Sequence, residues 1–454
     1  MAVDVSLVTK ETHLAEAGFP PLPTGWEVRV VGDLLSEDRG ISVGVMYPGE
    51  HDPSGVPLIR VGDLAGSCIN PHPEYHISPA VHHEYRRTAL TGGELLLTLV
   101  GGLGQCAIVP KHMAGWNAAR AVAVLRLIDP GDAPFVRYCL LSHPLQHLMQ
   151  VWATTTVQAT LNLKEIKQLP LPWPSPQIRS QIADVLGDLD AKIELNRRMN
   201  ETLEAMARAI FRSWFVDFDP VRAKVEGRKP ATTSHGAVPT FPSKMIKSEL
   251  GPIPEGWRVG TVGEVADNPR RGIDPSQITS GTPYIALEHM PRRCIALGDW
   301  ENADSVESNK FQFKRGEILF GKLRPYFHKV GVAPVAGVCS TDVLVVTPRT
   351  EGWFGFVLGH VSSDDFVAYT DRSSAGTKMP RTNWSDMAKY PVVLPPDGVA
   401  SAYTDLIRPL IEKIVANVHE SRTLASIRDL LLPRLLSGGL PVSAPRKHVP
   451  EGVT

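Results

Sequence analysis

Pro21-Leu22-Pro23-Thr24-Gly25-Trp26-Glu27-Val28 returns later in the chain as Pro252-Ile253-Pro254-Glu255-Gly256-Trp257-Arg258-Val259, 231 positions on. The match continues downstream of this motif. Val31-Gly32-Asp33 returns as Val262-Gly263-Glu264, and Gly55-x-Pro57-x-Ile59 as Gly281-x-Pro283-x-Ile285. Gly93-Glu94-Leu95-Leu96-Leu97 returns as Gly316-Glu317-Ile318-Leu319-Phe320. From Thr156 the spacing settles at 221, pairing Thr156, Asn162, Pro170 and Pro174 with Thr377, Asn383, Pro391 and Pro395. One such match is chance; a colinear series is a duplicated unit. The chain is therefore written twice, each copy a mixed globular domain followed by a long helix.

Periodicity supplies the elements. Leu95-Leu96-Leu97-Thr98-Leu99-Val100, Val122-Ala123-Val124-Leu125-Arg126-Leu127, Glu317-Ile318-Leu319-Phe320 and Val343-Leu344-Val345-Val346 read as strands. Between positions 177 and 214 there is no proline and one glycine, Gly187. Leu189, Ile193, Asn196, Asn200, Leu203, Ala207, Ile210 and Trp214 recur there at spacings of three and four, which predicts a coiled-coil seam with two asparagines in it. The second copy repeats the seam as Leu410, Ile414, Asn417, Ser421, Leu424, Arg428 or Ile427, and Leu431. Two arrangements fit: the helices face one another, their polar seam positions specifying register, or each packs on its own domain. Pro409 would kink the second helix or mark its start. The expected organisation is a tail and first domain over 1–176, a helix over 177–218, a linker over 219–248, a second domain over 249–397, a helix over 398–437 and a mobile tail over 438–454.

Composition bounds the chemistry. With 454 residues the chain holds more than one domain, and its formal net charge of −1 lacks the basic surplus common in nucleic-acid binders. Charge is nonetheless local. Between positions 310 and 329 six Lys or Arg face one acid, Glu317, and Arg86-Arg87, Arg270-Arg271 and Arg292-Arg293 are further basic pairs. Such pairs are either solvated surface or phosphate ligands. Five single cysteines, with no C-x-x-C, predict neither a disulfide framework nor a zinc site. The N-terminal stretch lacks the basic start and apolar run of a signal peptide, and no run is long enough for a membrane span, so a cytoplasmic location is expected.

Catalytic signatures are missing from the sequence. It has no G-x-x-x-x-G-K-[ST] loop, no N-P-P-F or D-P-P-Y, and no G-x-S-x-G. Gly101-Gly102-Leu103-Gly104 lacks dinucleotide-binding spacing and reads as a tight turn. His72, His76, His82 and His83 have no counterpart in the second copy and read as loop histidines rather than metal ligands. The expected catalytic and metal residues are none.

The P-x-P-x-G-W opening, the L-N-x-x-E-I-K-x-L-P-L-P exit (Asn162, Glu165, Ile166, Pro170, Pro172) and the helix ending in Trp214-Phe215-Val216-Asp217-Phe218-Asp219-Pro220 come in that order, and the cassette then restarts at Gly251-Pro252-Ile253-Pro254-Glu255-Gly256-Trp257. This order resembles the specificity (S, or HsdS) subunits of type I restriction-modification systems along essentially the full chain. The second exit, Asn383-Trp384-Ser385-Asp386-Met387, departs from the first. The resemblance implies an α+β fold: two mixed α/β target recognition domains in tandem repeat, separated by two long antiparallel coiled-coil helices. It implies that each domain reads half of a bipartite double-stranded DNA target. Two modification (methyltransferase) subunits and the restriction/translocase subunits would be the partners, and those chains, not this one, would hold S-adenosylmethionine, ATP and Mg. A recognition module serving another DNA-modifying enzyme is the alternative.

Arg, Lys and Gln suit phosphates and base edges. The candidate DNA-binding residues are Arg60, Arg86, Arg87, Lys111 and Gln158 in the first domain, and Arg270, Arg271, Lys322, Arg324, Lys378 and Arg381 in the second. The hydroxyl-rich loops Thr154-Thr155-Thr156-Val157-Gln158 and Ser373-Ser374-Ala375-Gly376-Thr377-Lys378 read either as phosphate-binding loops or as capped helix starts. Leu189, Ile193, Asn196, Leu203, Leu410, Ile414, Asn417 and Leu424 are the expected spacer residues.

Overall fold

The structure is a computed structural model, and it describes residues 5–65, 68–155, 159–228, 241–374 and 379–442. The chain forms two units, Met1–Ala191 with Leu424–Thr454, and Lys192–Thr423. The boundary falls inside both long helices, Pro176–Phe211 and Asp397–Leu436.

In the first unit Ile41–Val43, Val122–Leu125, Leu95–Thr98 and Cys106–Ile108 form an antiparallel sheet in that order. Every residue of its two central strands is buried, which explains why Leu95–Thr98 and Val122–Leu125 read as continuous apolar runs. A second layer has Val56–Ile59 antiparallel to His76–Ile77 and parallel to Asn117–Ala118. Glu27–Val30 pairs with the exit strand Pro170–Trp173. Helices Ala133–Leu141 and His143–Trp152 cover the sheet, and Ile182 and Leu186 of the long helix share its core with Leu432, Leu435 and Leu436. The expected N-terminal tail contains a helix, Val5–Glu16, with Leu14, Ala17 and Phe19 buried.

The second unit repeats this topology and adds two strands, Gly272–Ile273 and Lys310–Phe313, to its second layer. Ala266–Asp267, Val343–Pro348, Ile318–Gly321 and Val330–Val332 follow the same sheet order. Pro283–Ile285 is antiparallel to Glu301–Asn302 and parallel to Gly337–Cys339. Arg258–Thr261 pairs with Pro391–Leu394. The fold class is thus α+β, two mixed domains in tandem repeat with long helices.

The repeated motifs have local causes. In P-x-G-W the Trp26 N–H donates to Pro23 O at 3.1 Å and the Trp257 N–H to Pro254 O at the same distance, with Gly25 and Gly256 at φ +87° and +82°. A left-handed residue closes the same turn twice, and glycine adopts it without a Cβ clash. The two exits differ in sequence and agree in build: a short helix buries Ile166 in one and Met387 in the other, and the strand follows. Asn383 Oδ1 caps the second by accepting from the Asp386 N–H at 3.0 Å.

Both long helices start at equivalent positions, Pro176 and Asp397, 221 residues apart. Pro409 therefore does not mark the start of the second helix, which runs through it. The first helix ends at Phe211 and continues as a π-helical turn, Arg212–Val216, so Trp214 lies beyond the α-helical seam. That turn, with Phe218 left-handed at φ 51°, aims Phe211, Trp214, Phe215 and Phe218 into one aromatic core with Trp257, Phe356 and Tyr403. The W-F-V-D-F-D-P motif is a core plug of the second unit. Helix Asp219–Val225 and strand Met245–Ser248 occupy the two ends of the expected 219–248 linker.

Within the second unit the helices run antiparallel and face each other. Asn196 Nδ2 donates to Ser421 Oγ at 3.3 Å and Glu420 Oε2 at 2.9 Å, and Asn417 Nδ2 donates to Asn200 Oδ1 at 2.8 Å. Leu203 and Leu410 pack on the core beside buried Ile414, while Ile193 is half-buried. In the first unit Leu189 and Leu424 are half-buried, and Asp190 is the polar junction: it accepts from Arg428 Nη1, Arg137 Nη2 and Tyr138 Oη, each at 2.8 Å. Burial alone would raise the Asp190 carboxyl, but these donors hold it below the usual range.

Candidate nucleic-acid interface

Equivalent β-hairpin loops occur in both units, and only that of the second carries candidate residues. In the first, strands Leu95–Thr98 and Cys106–Ile108 are joined by a loop with Gly101, Gly102 and Gly104 all at positive φ, pinned by hydrogen bonds from Thr98 Oγ1 to Gly102 O and from the Gln105 N–H to Thr98 Oγ1. Gly102 lies against Val61, in the 3-10 turn Val61–Asp63. The glycine run is a tight turn. Arg60 caps that 3-10 turn and is exposed, its guanidinium 5.1 Å from the Tyr75 ring centroid.

In the second unit the loop after Ile318–Gly321 carries Lys322, Arg324 and Tyr326 instead of glycines. It packs on the equivalent 3-10 turn, Leu287–His289, with Lys329 Nζ donating to Leu287 O at 2.6 Å. Burial and the neighbouring Arg292 push the Lys329 ammonium below its usual range. Arg324 and His328 are left-handed at φ 50° and 51°, as is Arg293 at 55°, whose N–H donates to His328 O at 2.8 Å. Non-glycine residues adopt this conformation only at a cost that the surroundings must offset.

Three predicted residues meet here. The Arg324 N–H donates to Pro380 O, the Thr382 N–H donates to Lys322 O, and Leu323 bridges Arg381. Arg381 Nε donates to Asp342 Oδ1 at 3.2 Å, and the Lys322 N–H to Asp342 O at 2.9 Å. The loop is thus stitched to the segment that follows the second hydroxyl-rich loop.

Other candidates fall elsewhere. Arg271 Nη2 donates to both Glu317 carboxylate oxygens at 2.6 Å, a partly buried structural pair. Arg270 is exposed and left-handed, 5.9 Å from the Phe311 centroid. Arg86 and Arg87 are exposed on the 3-10 turn Arg86–Thr88, with Arg39 Nη1 donating to Arg87 O at 3.4 Å. Lys111 is exposed at the start of the turn Lys111–Met113. Among the described residues no hydrogen bond, ion pair or ring contact joins Arg60, Arg86, Arg87 and Lys111 to one another. Gln158 and Lys378 lie outside the described residues, as does part of each hydroxyl-rich loop. Two members of the basic stretch are tied down: the Nζ of Lys310 donates to Ser308 O and Oγ, and that of Lys329 to Leu287 O. Sequence reasoning left out Tyr326 and chose no residue of the Arg292-Arg293 pair. Tyr326 lies on the candidate loop itself and the Arg292-Arg293 segment folds against that loop, which spacing along the chain does not reveal.

Among the described residues no cluster of three or more His, Cys, Asp or Glu is placed to hold a metal, and no helix is long and apolar enough to cross a membrane. His82 Nδ1 lies 2.6 Å from Asn117 Oδ1, and the His76 N–H donates to His51 Nδ1.

Two domains of one topology, each followed by a long helix, define a tandem-repeat α+β protein whose second domain carries cations on a hairpin loop. Residues 23–205 match the family model described as the type I restriction modification DNA specificity domain. The chain is 24% identical to the type I restriction enzyme MjaIX specificity subunit of Methanocaldococcus jannaschii, over 95% of this chain and 97% of that one. It is 26% identical to the HindI specificity subunit of Haemophilus influenzae, over 61% of this chain and 70% of that one. The crystal structure of the type I restriction-modification S subunit from M. genitalium covers 94% of this chain and 99% of its own at TM-score 0.52 and 14% identity, which shows the shared fold. Along nearly its whole length the chain is similar to specificity subunits of type I restriction-modification systems.

Proposed function

We propose that each unit reads one half of a bipartite double-stranded DNA target and that the long helices set the spacing between the halves. The observation that carries this reading is the repeated topology: one four-strand sheet order, one parallel strand pair and one hairpin position occur in both units. Two similar domains can present the same face to one duplex, and their differing loops can read different bases. Lysine and arginine on the loops would set affinity through phosphates, while base-edge contacts would set sequence.

In this reading the subunit does no chemistry. It directs two modification subunits, which hold S-adenosylmethionine and methylate adenine, and restriction/translocase subunits, which hold ATP and Mg and cleave DNA. The relatives' naming as specificity subunits supports that division. A cytoplasmic location follows from the same role.

The test is exchange of residues 20–176 for the matching domain of a relative, followed by mapping of methylated adenines in cells. One half of the methylated sequence is expected to change and the other to persist. Change in both halves, or in neither, overturns the modular reading.

A further inference from the structure

We infer that Tyr326 is a base-contacting residue of the second domain, an aromatic ring carried on a cationic hairpin loop to pack against bases of that domain's half-site; the inference rests on the DNA-reading function proposed above. Four observations converge on it. Tyr326 is half exposed although its neighbour Pro325 is buried. Its ring stands against Phe327 at 4.7 Å between centroids, inclined 64°, and Arg292 closes on Phe327 from 4.1 Å. Phe327 is therefore a pedestal that limits where the Tyr326 ring can go.

Some cations of this loop and its neighbours are matched by carboxylates and others are not. Arg293 is matched by Asp364 at 2.6 Å and Arg381 by Asp342 at 3.2 Å. Among the described residues Arg292 and Arg324, 4.1 and 6.0 Å from the centroid of the supporting Phe327 ring, make no ion pair, and neither does Lys322 on the same loop. Such unmatched cations suit phosphates beside an inserted side chain. The backbone is also held off its easy conformations: Arg324 and His328, both left-handed, bracket the turn Pro325–Phe327 that presents the ring. Left-handed arginine and histidine persist because Pro380 O accepts from the Arg324 N–H and Ser362 O lies 2.9 Å from His328 Nε2. The equivalent loop of the first domain has Gly101, Gly102 and Gly104 and no aromatic residue. The two domains thus offer DNA different instruments on the same scaffold, a bare backbone turn in one and a supported aromatic ring in the other.

The experiment uses the complete complex with its modification subunits. Two duplexes serve as probes: one carries the methylation target mapped for the wild-type complex, the other is a scrambled duplex of equal length. Removing an aromatic–base contact weakens binding by about 1–3 kcal/mol, or roughly 5- to 150-fold. Tyr326→Ala is expected to lose affinity in that range for the target duplex, to lose less for the scrambled duplex, and to keep the wild-type salt slope. Tyr326→Phe is expected to bind as wild type. Equal loss in both variants would overturn the ring contact in favour of the hydroxyl. Unchanged binding by Tyr326→Ala, while Lys322→Ala and Arg324→Ala weaken it, would overturn the inference and leave DNA reading by this domain intact. No effect from any of these variants, together with an unaltered target after domain exchange, would overturn the functional reading itself.

Discussion

Asn417 Nδ2 donates a hydrogen bond to Asn200 Oδ1 at 2.8 Å in the buried seam between the two long helices of the second unit. The repeat copies of these residues, Asn196 and Ser421, make the neighbouring pair at 3.3 Å. Each pair exchanges into the other when the 221-residue offset is applied. A buried amide pair contributes little net stability but strongly penalises slipped alignments, since a slip leaves both amides unpaired.

Asn417→Ala is expected to destabilise the chain by about 1–3 kcal/mol, the usual cost of an orphaned buried polar group. Asn200→Leu with Asn417→Leu is expected to recover most of that loss. Denaturant midpoints of the three proteins check this; a double variant no more stable than Asn417→Ala would show that the pair is not the source of the penalty.

Asp190 is expected to give a pH-dependent contribution. Its folded pKa is lowered, so its stabilisation is complete above the unfolded carboxyl value of about 4 and is lost as pH falls through the lower folded value. Asp190→Ala breaks a partly buried pair with Arg137 and Arg428 and is expected to cost about 3 kcal/mol near neutral pH. The gap between wild type and variant, measured by unfolding across pH, should stay constant down to about pH 5 and narrow below pH 4.

Lys322→Ala and Arg324→Ala are each expected to weaken DNA binding and to reduce the slope of log affinity against log salt by about one. Arg271→Ala is expected to behave differently, because its guanidinium is held by Glu317: stability falls and the salt slope does not move. Titration of binding against salt beside thermal melting separates the two behaviours.

Four residues inserted after Glu201 and four after Ala416 are expected to lengthen the helix pair by about 6 Å while keeping the asparagine seam aligned. The gap in the methylated target should grow by about two base pairs, with both half-sites unchanged. An active variant that still modifies the original spacing would show that the helices do not set it. Insertion after Glu201 alone shifts one side of the seam and is expected to lower stability instead.

The sequence by itself determined the duplication, the strands and the long helices. Periodicity and a colinear repeat are properties of spacing along the chain, and they survive wherever burial demands alternation or a helical stripe. Even the seam asparagines were legible, because a polar residue at an apolar position stands out. Four things needed the tertiary structure. Pro409 lies within a helix that starts at Asp397, since neighbouring packing outweighs a local breaker. Arg271 is a structural partner of Glu317, whereas Lys322, Arg324 and Arg381 converge on one loop; a cation's role depends on which carboxylates fold beside it. Tyr326 gains its setting from Phe327 and Arg292, the latter distant in sequence. And the partner of Asn200 is Asn417, not its own repeat copy Ser421, because antiparallel helices match positions in reverse order while a repeat matches them in the same order.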